Sequence, residues 1–238
     1  MLVPYAVSFN EFHLGSAMKA IGSIWKSVIA VLIIAWLASG CAATRSVIDV
    51  KVENSEANLA KAYVKVIEVT DKRRFEARPS DPSVPSLQKA AETQNPAITA
   101  RAIARKRGGF GNALADILLP EGRTVSQVVR EAVTSALNDK GYAVVEEGSA
   151  NFGNASPMQV DIEQFWSWFT PGMWLISLEF ESKLLMQGSM LAGEKDVAIR
   201  GYNKLDSAAA TDGRWQQVMQ AGIQDLVEKI KEKLKSAE

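Results

Sequence analysis

The stretch MQVDIEQFWSWFTPGMWLISLEFESKLLM, residues 158–186, decides how this chain folds. Met158, Val160 and Ile162 alternate with Gln159, Asp161 and Glu163, the two-residue period of a strand with one buried face. Thr170-Pro171-Gly172 interrupts the run as a turn. Beyond it Trp174, Ile176, Leu178, Phe180, Leu184 and Met186 share one face, while Ser177, Glu179, Glu181 and Lys183 take the other. The stretch therefore reads as a long antiparallel hairpin. Near its turn Phe165, Trp166, Trp168, Phe169 and Trp174 crowd together. Neighbours along a strand point to opposite faces, so these rings cannot all enter one core. Either the end of the hairpin is buried on both faces, or some of the rings form a docking tip for a protein partner or for the membrane interface.

On the C-terminal side, residues 196–203 alternate again and add a strand, and residues 212–235 form a long amphipathic helix with Trp215, Val218, Met219, Gly222, Ile223, Leu226, Val227, Ile230 and Leu234 in its stripe. On the N-terminal side, Val125, Val128, Val129, Ala132, Val133, Ala136 and Leu137 give a second helix over 124–140. Thr124 and Gln127 make its capping box and Gly141 its stop. Short strands are expected at 46–53, 62–69 and 142–146. The sum is an α+β, two-layer sandwich: a mainly antiparallel sheet of about five to six strands, wet on one face, with two long amphipathic helices on the other. Residues 71–123, broken by Pro79, Pro82, Pro85, Pro96, Gly108, Gly109 and Gly111, are expected to be a long irregular insertion in a single domain spanning 46–238.

The N-terminal segment is of a different kind. An apolar run from Val28 to Ala38, too short to span a bilayer as a helix, follows Lys19 and Lys26 and ends in Ser39-Gly40-Cys41. This is the layout of a secretory signal peptide, and LASGC resembles the lipobox of bacterial lipoproteins. That resemblance implies cleavage between Gly40 and Cys41, with diacylglyceryl and amide-linked acyl (palmitate-type) chains on Cys41. About three chains would anchor the protein firmly. Met18 offers a start for a complete signal peptide, so residues 1–17 read as an overlong gene start, 18–40 as the signal peptide and 41–45 as the lipid-anchored linker. Ala42 stands where such proteins carry Asp if retained in the inner membrane, which implies the outer membrane, facing the periplasm.

Composition sharpens this. The chain has 238 residues, 27 Lys+Arg against 27 Asp+Glu, one cysteine and one histidine. A zero net charge gives no support to a general nucleic-acid binder. Cleavage before Cys41 removes His13, and acylation consumes the thiol. Ser-His-Asp and Cys-His nucleophile systems and imidazole-held metals are then excluded, and no cofactor other than the lipid on Cys41 is expected.

The lipobox, the strands after it, the block TVSQVVREAVTSALNDKGYAVV at 124–145, the hairpin and the terminal helix, in this order, resemble the YajG-like bacterial lipoproteins. More distantly they resemble the auxiliary lipoproteins of envelope lipid transport. The resemblance implies an outer-membrane-associated lipoprotein without established enzymatic activity. Two further features compete for a functional role. Arg101, Arg105, Lys106 and Arg107, followed by Gly108, Gly109, Phe110 and Gly111, put four cations beside flexible backbone. They could bind phosphates of an anionic envelope polymer, or simply be solvated. Asp161, Glu163, Glu179 and Glu181 supply the carboxylate pairs that a peptidoglycan glycosidase needs, but they are also what any wet sheet face carries. The expected function is a non-catalytic, lipid-anchored periplasmic protein that binds or supports an envelope assembly through a protein partner. The alternatives are an accessory role in an ABC-type lipid-transport system and, more remotely, a carboxylate glycosidase.

Overall fold

Residues 156–188 form the hairpin around which everything else is arranged. In the computed structural model, which describes residues 45–53, 55, 60–108, 112–193 and 196–237, strand β6 (Ser156–Pro171) pairs antiparallel with β7 (Ile176–Gly188), and β7 with β8 (Asp196–Ser207). The remaining elements are β1 (Ser46–Val47), β2 (Ala62–Asp71), the one-turn helix α1 (Pro96–Thr99), β3 (Ala102–Arg107), β4 (Ala113–Leu118), α2 (Val125–Asp139), β5 (Tyr142–Val144) and α3 (Asp212–Lys233). The lipidated cysteine and the signal segment read from the sequence lie outside the described residues.

The α+β class stands, but the sheet is larger than expected and mixed rather than a meander. Eight strands take part. On one edge β6 carries β7 along its length; on the other it carries two strands end to end. β2 runs parallel to residues 156–162, and β3 runs parallel at Ser167. β2 also pairs parallel with β5, β3 antiparallel with β4, and β4 parallel with β1. Alternation in a sequence reports that one face of a strand is buried. It carries no information on the direction of its neighbour.

The expected irregular insertion at 71–123 is corrected in the same way, since it contains β3, β4 and α1. Its 72–101 part leaves the sheet between β2 and β3 and covers the face that the sequence suggested would be wet. There Leu87, Ala102, Leu118 and Trp166 make a small second core, with Phe75, Ile98 and Trp168 packed on it. The main core lies on the opposite face, where α2 and α3 cover Met158, Val160, Ile162, Phe165, Leu178, Phe180, Leu184 and Met186.

Both helices begin and end as their residues dictate. Thr124 and Gln127 form a reciprocal capping box on α2, and Gly141 at φ +86° ends it. α3 can lie unusually close to the sheet because two of its contacts lack a side chain. A Cβ on Gly201 of β8 would stand 2.7 Å from Leu226, and one on Gly222 would enter the Phe180 ring.

The strand expected at 46–53 is correct in phase but not in partner. Ile48 and Val50 are buried and Val52 packs on the core, yet the ladder stops at Val47. Farther on, side chains replace a partner strand. Gln216 donates to the Asp49 carbonyl (2.9 Å), Gln220 clamps both backbone groups of Lys51, Arg123 donates to Val50 O (2.9 Å) and Ser135 to Glu53 O (2.7 Å).

Candidate functional site

The five rings read as a docking tip separate into buried and free. Met158, Val160 and Ile162 face the helices, but the register with β7 slips between Ile162 and Gln164, leaving Glu163 as the extra residue of a bulge. The slip reverses the phase. Phe165 now faces the helices, fully buried and edge-on to Phe180 at 4.9 Å, with Phe169 packed on the same core. Trp166 faces the other way, 1% exposed, donating from Nε1 to Pro82 O (3.3 Å) and meeting Phe75 edge-on at 5.8 Å. Phe165 and Trp166 are therefore core residues and are withdrawn as docking residues; Trp168 and Phe169 are half-buried. Trp174 is different. It is 89% exposed at the tip of the hairpin, between Met173 (89%) and Leu175 (49%). Met173 and Leu175 were missed from the sequence, although MWL directly after a Pro-Gly turn was the available signal.

The register places this tip relative to the start of the domain. Ser46 pairs with Ile117, Ile117 with Ala104, Ala104 with Ser167, and Ser167 with Phe180, so the five form one row across the sheet. β6 and β3 run towards the tip, while β4 and β1 run away from it. Arg45, directly before Ser46, consequently lies on the tip side of this row. From the Ser167 row to the last hairpin pair, Pro171–Ile176, is roughly 13 Å at about 3.3 Å per residue, with the exposed side chains beyond. The Arg45 side chain is held by Asp116, which accepts from Nε and Nη2 at 3.2 Å each, and by Glu92.

The four cations read as one anion-binding loop do not act together. Arg101 donates to Leu119 O from Nε (3.1 Å) and Nη2 (2.9 Å). Lys106 points to the helix side, where it donates to Ser46 Oγ (2.7 Å) and Asp212 Oδ1 (2.6 Å) and holds the Asp212 carboxyl below its usual range. Arg105 and Arg107 project to the opposite face, beneath the 77–90 segment. Gly109, Phe110 and Gly111 lie outside the described residues.

The carboxylates are also dispersed into separate contacts. Lys72 pairs with Asp161 at 2.6 Å. Glu179 accepts from Tyr202 Oη (2.7 Å) and Thr170 Oγ1 (2.9 Å). Burial together with this hydrogen bond and the Glu179 charge pushes the Tyr202 phenol up to about 12. Glu181 pairs with Arg200 (2.5 Å) and Lys183 (3.0 Å). Burial alone would raise its carboxyl, but the hydrogen bonds from these two cations outweigh it and hold the group low. A general acid needs the opposite shift. Among the described residues no group of three or more His, Cys, Asp or Glu is placed to hold a metal, and no helix is long and apolar enough to cross a membrane.

No known family and no curated protein matches the sequence. Several solved structures are distantly similar. A crystal structure of an uncharacterized protein has a TM-score of 0.41 at 10% identity, covering 79% of this chain and 97% of that one. The lipoprotein GNA1162 from Neisseria meningitidis has a TM-score of 0.29 at 9% identity, covering 70% of this chain and 99% of that one.

Proposed function

We propose that this chain is a non-catalytic lipoprotein of the YajG-like kind. On this reading, acyl chains on Cys41 hold it to the outer membrane facing the periplasm, where it serves an envelope assembly from the membrane surface. The observation that supports this reading is a shared side of the sheet: Arg45, four residues after Cys41 in the sequence, and the exposed Met173-Trp174-Leu175 tip both lie on the same side of the row that starts at Ser46. From Cys41 to Arg45 the backbone reaches at most roughly 14 Å, about the height of the hairpin above the row where the domain begins. A lipid on Cys41 therefore brings the tip to the bilayer interface, where a tryptophan flanked by apolar side chains is well placed between headgroups and acyl chains.

Two measurements test the two halves of the proposal separately. Replacing Cys41 by Ser is expected to move the protein from the membrane to the soluble fraction; unchanged retention would refute the anchor. For the tip, the anchored protein is reconstituted in vesicles containing brominated phospholipid. Trp174 fluorescence, obtained as the difference between the parent and a Trp174→Phe variant, is expected to be strongly quenched. An unquenched difference signal in a protein that still floats with the vesicles would refute membrane seating and leave the anchor standing.

A further inference from the structure

On the sheet face opposite the helices, Arg78, Arg105 and Arg107 line a cavity of about 300 Å³ together with Pro79, Gln88 and Asn112. Among the described residues its lining contains three cations and no acid. Asp116 acts electrostatically on Arg105 and Asp81 on Arg107, but both carboxylates are already engaged elsewhere. The Asp116 side chain is fully buried and accepts from Arg45 and from the Gln88 backbone N–H (2.7 Å). Asp81 accepts from the Ser83 hydroxyl (2.7 Å) and backbone N–H (2.8 Å), which hold its carboxyl below the usual range.

Arg105 is 6% exposed; among the described residues its side chain makes a single, long hydrogen bond, from Nη1 to Leu87 O at 3.3 Å, and its Nε has no partner. Arg107 donates from Nη1 to Pro79 O at 3.2 Å, and its shielded Nη2 is likewise without a partner among the described residues. Burial, and for Arg105 the neighbouring Arg107 charge, pull both guanidinium groups below their ordinary values. Shielded guanidinium N–H groups without an acceptor are costly, and two like charges side by side add to that cost. An anion with several acceptor oxygens relieves both.

We propose that this cavity binds a phosphate-bearing anion, held by the paired guanidinium groups of Arg105 and Arg107 with Arg78 at its mouth. A phosphomonoester carries about −1.5 to −2 charge and three acceptor oxygens, which suits three cations and two planar forks better than a single carboxylate does. Arg107 pairs with Ala113 at the tip end of β3, so a lipid headgroup and a free phosphate share this chemistry. The proposal does not depend on acylation of Cys41.

The test is calorimetric titration of the full chain, in detergent at fixed ionic strength, with inorganic phosphate. Saturable binding is expected. Losing one charged donor is expected to weaken it about ten-fold or more in Arg107→Gln, while Lys106→Gln, whose side chain lies on the other face, leaves it unchanged. Because Arg107 is partly buried, the exposed Arg78→Gln serves as a second variant and is expected to weaken binding by about three-fold. Repeating the titration in vesicles with and without phosphatidic acid distinguishes the sources. Competition by phosphatidic acid assigns the site to a headgroup, and its absence to a soluble phosphate. Lack of saturable phosphate binding, or equal losses in Lys106→Gln and Arg107→Gln, would overturn the proposal.

Discussion

Arg73 donates from all three of its guanidinium nitrogens, and no feature of the sequence singles it out. Nε and Nη2 grip the Asp71 carboxylate at 2.8 and 2.7 Å, Nη1 donates to Ala102 O (2.6 Å) and Phe165 O (3.0 Å), and Nη2 reaches Thr99 O (2.8 Å). Its side chain is fully buried. It thus ties the end of β2, the start of β3 and the middle of β6 where the two parallel strands meet end to end. Arg73→Ala would leave a half-buried carboxylate and three carbonyls without their donor, and is expected to cost about 3 kcal/mol, read by urea denaturation. Arg73→Lys is expected to recover little of this, since an ammonium cannot reproduce the planar fork. The sequence does not show this role, because the three carbonyls that accept from Arg73 lie 26 to 92 residues away and meet only in the fold.

The bulge at Glu163 and the glycines under α3 show the same division one level up. The hairpin, both long helices and the Thr124–Gln127 cap were legible, because each is set by periodicity and local capping. The bulge was not, because an inserted residue shows only as a change of phase. The crowding of Phe165, Trp166, Trp168 and Phe169 was the visible trace of that change. It places aromatic rings in both cores and so joins the 72–101 segment to the sheet. Gly222, read from the sequence as an ordinary member of the stripe, is where Phe180 enters the helix surface. Phe180 is fully buried and held edge-on by Phe165, so it cannot turn aside. Gly222→Ala, which on helix propensity alone would stabilise, is expected instead to cost about 1–3 kcal/mol through overpacking, measured as a lower thermal midpoint.

For the molecule as a whole, what matters is that Arg45 and the exposed hairpin tip lie on the same side of the row that starts at Ser46, the side from which the proposed tether would lead. Inserting 20 Gly/Ser residues between Thr44 and Arg45 adds a coil of roughly 25 Å root-mean-square length. Retention in the membrane fraction is expected to persist, while quenching of Trp174 by brominated lipid falls towards the unquenched level. Undiminished quenching would mean that the tip seats itself without the tether. The sequence by itself determined the α+β class, the helix limits, the hairpin and the expectation of an acylated Cys41, because these rest on local periodicity, caps and short-range motifs. The tertiary structure alone decided the mixed sheet and its eight strands, the burial of Phe165 and Trp166 against the exposure of Trp174, and the parting of Lys106 from Arg105 and Arg107. Each of these depends on which distant segment lies beside a residue, and strand direction, bulge phase and the face a cation turns to are fixed by that neighbour rather than by the residues on either side in the chain.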